Sequence, residues 1–234
     1  MGKIGSDKMD LKVIYEDNHL LVVEKPVNVL SQADNTQDID MVSMCKAYVK
    51  EKYKKPGNVY IGLVHRLDRP VGGVMVFAKT SKAASRLSDQ VRTRTMKKTY
   101  KTVVVGKCQQ AGDCVDYLYK NTKTNMVKIV DKSNKDGKMA SLSYKKLGET
   151  YSDKDKLDYS LLEVDLHTGR PHQIRVQFSS RSHPLYGDQR YSRFSKVGQQ
   201  IALWSARIEL VHPTTKEVMS FEAKMPNTYP WNIF

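Results

Sequence analysis

Arg66 and Asp68 stand two residues apart in the segment His65-Arg66-Leu67-Asp68-Arg69-Pro70-Val71-Gly72-Gly73. Residues 64–79 read as a strand, a tight turn and a second strand. Alternate side chains of a strand share a face, so Arg66 and Asp68 are presented together while His65 and Leu67 point the other way. A carboxylate can attack a sugar or base carbon to form a covalent intermediate, which makes Asp68 a candidate nucleophile. The same residue also suits a turn aspartate that hydrogen-bonds the backbone of the Arg69-Pro70 bend.

Two further clusters carry chemistry. Leu166-His167-Thr168-Gly169-Arg170-Pro171-His172-Gln173-Ile174-Arg175-Val176-Gln177-Phe178 packs two arginines, two histidines and a glutamine into one strand-turn-helix corner. Pro171 suits the first helical position. Arg175, one turn in, could reach a carboxylate or phosphate. Paired with Asp68 it would keep that carboxylate ionised, since an adjacent arginine lowers a carboxylate pKa by ~1–3 units. A plain ion pair joining two parts of the fold accounts for the same residues. Tyr100, in Lys97-Lys98-Thr99-Tyr100-Lys101, is a strand tyrosine flanked by lysines. A tyrosine facing a polar cleft would stack on an unpaired base; one facing the core would pack across strands. Its hydroxyl would serve as acid or base only with difficulty, from an ordinary pKa of ~10.

These groups sit in a chain of 234 residues, enough for one sizeable core, with 40% hydrophobic and 27% charged residues. The net charge of +14 favours nucleic acid or an anionic membrane surface as partner, although a basic soluble protein needs neither. Three cysteines, Cys45, Cys108 and Cys114, make an odd set without zinc-site spacing and fit a reducing compartment. Residues 1–7 lack the apolar run of a signal peptide, and no apolar stretch approaches ~18 residues. The default is a cytoplasmic protein without membrane attachment. No phosphate-loop or dinucleotide fingerprint occurs, and no carboxylate cluster lies near the basic residues, so neither a nucleotide cofactor nor a metal is expected.

The elements that must position the clusters follow from periodicity and turn residues. Residues 13–15 and 20–23 read as strands around the Asp17-Asn18 turn, the second stopped by Lys25-Pro26. A helix is expected from about Ile39 to Lys54 with Val42, Cys45 and Val49 inward, and another from Thr80 or Ser81 to about Thr95 with Ala84, Leu87 and Val91 inward. The outer face of the second carries Lys82, Arg86, Arg92 and Arg94, which suit either water or RNA. Strands are expected over 100–105, 115–119, 126–130, 141–145 and 161–166. Ser133-Asn134-Lys135-Asp136-Gly137 signals a hairpin turn, and residues 201–210 pair with 218–223 around Pro213-Thr214-Thr215-Lys216. The expected class is α+β, one domain over residues 11–234 behind a short flexible leader (1–10), with a mixed, largely antiparallel sheet and flanking helices.

In their order these segments resemble the RluA-type branch of the pseudouridine synthases. His65-Arg66-Leu67-Asp68 is similar to the family's HRLD signature, Lys98-Thr99-Tyr100 to its K-x-Y strand, and Thr168 to Val176 to its TGR-x-HQIRV motif. His183-Pro184-Leu185-Tyr186-Gly187-Asp188-Gln189-Arg190-Tyr191 is similar to its HP-h-x-GD-x-x-Y turn (h apolar), and residues 14–26 to its first strands. The resemblance spans residues 11 to 225. It implies the pseudouridine synthase fold with a central RNA-binding cleft, and an isomerase that converts uridine in tRNA or rRNA to pseudouridine without a cofactor. The oligomeric state is open, with a monomer the simplest expectation. Asp68 would be the nucleophile, on sugar or base. Tyr100 would stack on the uracil and assist proton loss from C5, and Arg175 would hold Asp68. Arg66 would help expel the target nucleotide, and Ile174 would wall the base pocket. His65, Arg170 and His172 complete the implied substrate-binding set. An S4-type RNA-binding domain, frequent in relatives, is not expected. The chain departs from the family pattern at Pro70-Val71-Gly72-Gly73, Thr102, Pro171, Gln177 and Ser192. A second reading of the same fold is a non-catalytic RNA chaperone or ribosome-assembly factor.

Overall fold

The computed structural model describes residues 10–234; the expected leader lies, Asp10 apart, outside the described residues. Eleven strands form one sheet among them. In chain order they are β1 (Lys12–Glu16), β2 (Leu20–Lys25), β3 (Gly62–Leu63), β4 (Gly72–Ala78), β5 (Lys97–Val105), β6 (Ala111–Asn121), β7 (Met126–Val130), β8 (Lys138–Ser152), β9 (Leu157–Leu166), β10 (Leu203–Val211) and β11 (Val218–Glu222). The helices are α1 (Met41–Lys52), α2 (Ser81–Thr93) and α3 (Gln173–Ser179), with a 3₁₀ turn at Trp231–Ile233.

The sheet runs β1-β2-β4-β10-β5-β9-β8-β6-β7, with β11 beside β10 and β3 beside β4. Every pairing is antiparallel except β4 with β10, which are parallel over Trp204–Gly72 and Ser205–Gly73. This is the mixed, largely antiparallel α+β sheet expected.

Central strands are apolar on both faces because helices cover both. In β2, Leu20 and Val22 pack with Ala83 and Leu87 of α2, while Leu21 and Val23 pack with Met41, Cys45 and Val49 of α1. Strand β5 divides likewise: Val103 and Val105 join the α2 side, and Tyr100 and Val104 join Ile174 and Phe178 of α3. Asp40 caps α1 by accepting from Val42 N and Ser43 N, and Thr80 caps α2 by accepting from Ala83 N. On α2, Ala83 rather than Ala84 or Val91 makes the deep contact with Leu87. In α1, Met41 and Met44 replace Val42 in the inward stripe.

Three expectations are corrected. No strand forms over residues 64–68: Leu67 gives its N–H to Ser31 Oγ (3.1 Å) and its carbonyl accepts from the same hydroxyl (2.7 Å), so a side chain takes the place of a neighbouring strand. Burial still alternates, with His65 and Leu67 inside and Arg66 exposed. The 133–137 turn forms but joins no hairpin, because β6 lies between β7 and β8 and pairs with both. Pro171 precedes α3, which starts at Gln173. The Gln173 amide oxygen accepts from Thr168 Oγ1 (2.7 Å) and Arg170 N (3.1 Å), locking those residues as a loop.

The Gly72-Gly73 departure has a packing cause. A Cβ on Gly72 would lie 2.3 Å from the Trp204 ring, and one on Gly73 would lie 2.2 Å from the Ser205 carbonyl. Gly73 also has φ +113°, a conformation open to glycine alone. These two glycines let β4 and β10 meet.

Candidate active site

The turn after residue 68 closes through the backbone: Val71 N donates to the Asp68 carbonyl at 2.9 Å. Lys25, fully buried at the end of β2, donates from Nζ to the carbonyls of Pro26, Arg69 and Val71. Burial pushes the Lys25 ammonium down to about 7, against the opposing pull of the Asp68 charge. With backbone and lysine holding the bend, the Asp68 side chain is free to point away from it. It accepts from Arg175 Nη1 at 3.1 Å. A turn-forming carboxylate would have bonded the bend instead.

Arg175 sits on α3 with only 5% exposure, so its other nitrogens need acceptors. Asp188, fully buried, takes Nε and Nη2 at 2.8 Å each. Asp188 also accepts from the backbone N–H groups of Arg190 and Tyr191. The Arg175 guanidinium lies 5.2 Å from the centre of the Tyr191 ring. Despite the cost of burial, these carboxylates hold the arginine charged, with its pKa above the ordinary value.

His172 adopts a left-handed conformation at φ 50° as the chain turns into α3. Its Nδ1 lies 2.8 Å from the Tyr191 hydroxyl, which itself accepts from Val127 N at 2.9 Å. The ring's other nitrogen, Nε2, lies 3.8 Å from Asp68 Oδ2. Burial lowers the His172 pKa, the Asp68 charge working against it.

A cleft of about 710 Å³ opens over these groups. Arg66, Arg92, Arg94, Lys98, Lys120 and Arg170 line it, against the carboxylates of Asp34 and Asp68. Tyr100 lies in its wall at 7% exposure beside Leu67, Ile174 and Leu203. Burial and the neighbouring Asp68 charge raise the Tyr100 pKa, so the phenol is protonated at neutral pH. Arg66 makes no hydrogen bond or ion pair among the described residues, whereas Arg170 Nε donates to the Met139 carbonyl at 3.0 Å.

The structure thus brings together Asp68, Tyr100, Arg175, Arg66, Ile174, Arg170 and His172 around one cleft. His65 also borders it but is turned to the fold: its Nε2 accepts from Val76 N at 3.0 Å, and burial, with the nearby Lys98 charge, pushes its pKa down to about 3. The cationic face of α2 splits. Arg92 and Arg94 reach the cleft, whereas Arg86 ties α2 to the Pro213 carbonyl. Asp188, Tyr191, Lys25 and Ser31 were not singled out from residue types, although Asp188 and Tyr191 lie within the HP-h-x-GD-x-x-Y segment.

The model of the family described as RNA pseudouridylate synthase matches residues 19–180. The uncharacterized RNA pseudouridine synthase YhcT of Bacillus subtilis is 31% identical over 218 residues, covering 93% of this chain and 69% of that protein. The ribosomal large subunit pseudouridine synthase D of Zymomonas mobilis is 32% identical over 227 residues, covering 92% and 69%. The structure of human RNA Pseudouridylate Synthase Domain Containing 4 shares the fold, with a TM-score of 0.75 at 20% identity, over 92% of this chain and 88% of that one.

Proposed function

The chain belongs to the RNA pseudouridylate synthase family, an isomerase acting on RNA, and we propose that its substrate is a uridine of ribosomal RNA and its nucleophile Asp68. The observation that carries the assignment is the 3.1 Å contact between Arg175 and Asp68 at the mouth of a basic cleft walled by Tyr100. The large-subunit enzymes among the relatives favour rRNA over tRNA.

The reaction breaks the bond from uracil N1 to the sugar and makes one from C5, with the C5 proton lost and N1 protonated; redox state is unchanged. The target base must leave its stack, at a cost of a few kcal/mol. Phosphate contacts by Arg92, Arg94, Lys120 and Arg170 offset that cost, and exposed Arg66 enters the space the base vacates. Inside the cleft the uracil lies on the Tyr100 ring and against Ile174, with stacking worth ~1–3 kcal/mol. Tyr100 acts in this reading as a protonated platform, and removal of the C5 proton falls to another base. In this reading the Tyr191 hydroxyl donates to His172 Nδ1, and His172 offers Nε2–H to the substrate. Asp68 adds to the sugar or the base, held by Arg175. No helix among the described residues is long and apolar enough to cross a membrane. The buried, unpaired Cys45, Cys108 and Cys114 fit the cytoplasm, and a monomer is the simplest reading of the assembly.

The test is tritium release from RNA carrying 5-tritiated uridine, with large-subunit rRNA and bulk tRNA assayed separately. Release from rRNA by the wild type and none by Asp68→Asn is expected. Equal release by the variant overturns the nucleophile assignment, and release from tRNA alone overturns the rRNA assignment.

A further inference from the structure

Among the described residues, Lys98 is a cation without a counterion in the wall of the cleft. It lies two residues before Tyr100 on β5, so both side chains leave the same face of the strand. It lines the cleft and is partly buried, yet no carboxylate pairs with it and it makes no hydrogen bond among the described residues. Its neighbour Lys97, on the opposite face, does reach a carboxylate, Glu209, at 4.0 Å. The ammonium lies against the loop before α3: a Cβ on Gly169 would sit 3.7 Å from Nζ. Burial lowers the Lys98 pKa, the signature of a charge taken out of water without compensation. The adjoining His65 adds no negative charge. Its Nε2 accepts from Val76, so the proton sits on Nδ1, a buried donor without an acceptor. Among the described residues, this side of the cleft therefore holds two donor groups and no acceptor for either.

We infer that Lys98 binds a backbone phosphate of the nucleotide whose base lies on Tyr100. Side chains two apart on a strand are separated by about 6.5–7 Å, the scale of the distance from a base to the phosphate of its own nucleotide. Gly169 leaves room beside the ammonium for the phosphate oxygens. This assignment rests on the proposed uridine site and adds to it the part of the substrate that registers the base against Asp68.

Two measurements test it. Uridine and uridine 5′-monophosphate are titrated into the full chain by NMR, and oligouridine binding is followed against salt. The wild type should prefer the monophosphate. Lys98→Met should abolish that preference, and its plot of log affinity against log salt should lose about 0.7 of slope, one single-strand phosphate contact. Lys98→Arg should retain both. Equal affinity of the wild type for uridine and its monophosphate overturns the proposal, and needs no variant to fold. An unchanged salt slope in a folded Lys98→Met overturns it too. If the phosphate preference and slope behave as expected while the wild type releases no tritium, the anion site stands and the proposed catalysis fails.

Discussion

Asp188 accepts from both Nε and Nη2 of Arg175 at 2.8 Å, which leaves Nη1 as the nitrogen that meets Asp68. The buried carboxylate fixes the plane of the guanidinium, and the guanidinium in turn fixes the half-exposed carboxylate in the cleft. Removing one partner of a buried ion pair costs ~3–5 kcal/mol because the other charge stays behind. Asp188→Asn should lower stability in urea unfolding by about 3 kcal/mol and cut activity at least tenfold. Wild-type stability would show that the pair does not orient Arg175.

Asp68→Asn should behave oppositely. Asp68 is 30% exposed, and Arg175 keeps Asp188 when it is lost. Unfolding should shift by about 1 kcal/mol or less, while tritium release falls by about 10³-fold or more. A large loss of stability would make the Asp68–Arg175 contact a structural ion pair.

Tyr191→Phe removes the hydrogen-bond partner of His172 Nδ1 and the acceptor for Val127 N–H. Leaving one buried N–H unsatisfied costs ~1–3 kcal/mol. Nitrogen-15 shifts of His172 should move from the Nε2–H form toward a mixture of tautomers. Unaltered shifts would rule out the hydroxyl as the group that sets the proton's position.

His65 makes stability pH-dependent. Its folded pKa is about 3, against 6.5 ordinarily. Between those values the unfolded chain binds a proton that the folded chain excludes. Stability from this group is full above about 6.5 and declines as pH falls, by up to about 1.4 kcal/mol per unit, until pH nears 3. His65→Gln keeps an acceptor for Val76 N–H without titrating. Urea unfolding at pH 7, 5 and 4 should show a shallower acid loss in the variant; parallel profiles would remove His65 as the cause.

Gly73→Ala meets both the Ser205 carbonyl and a positive φ. The two penalties should destabilise the chain by about 3 kcal/mol or more, read as a lower melting temperature. A variant as stable as the wild type would mean that β4 and β10 can separate freely at this point.

The groups that converge on the cleft were legible from residue types, because Arg66, Asp68, Tyr100 and Arg175 are polar residues in settings that otherwise favour core or turn. Asp188 was not, since an aspartate after glycine reads as a turn residue and its burial depends on Arg175, thirteen positions away. The 64–68 segment alternates as a strand would, and what denies it a sheet partner is the distant Ser31 hydroxyl. Strands β6 and β8 run beyond their apolar cores at 115–119 and 141–145 because antiparallel pairing continues through polar residues once one face is open to water. Lys25 shows the same limit: a lysine before proline gives no sign that its ammonium will close a bend more than forty residues later.

The place of β10 has a consequence for how the chain is made. This late strand lies between β4, which follows Asp68, and β5, which carries Tyr100. Until residues 203–211 have been synthesised, β4 and β5 have no hydrogen-bonded link, and the halves that bring nucleophile and platform together remain separate. Assembly must wait for distant parts of the chain, which makes it slow compared with locally connected folds. A nascent chain emerging from the ribosome would carry every residue of the HRLD and K-x-Y segments and still have no site. Strand β10 thus acts as a keystone, and the site that modifies RNA can be assembled only once residues 203–211 have been made.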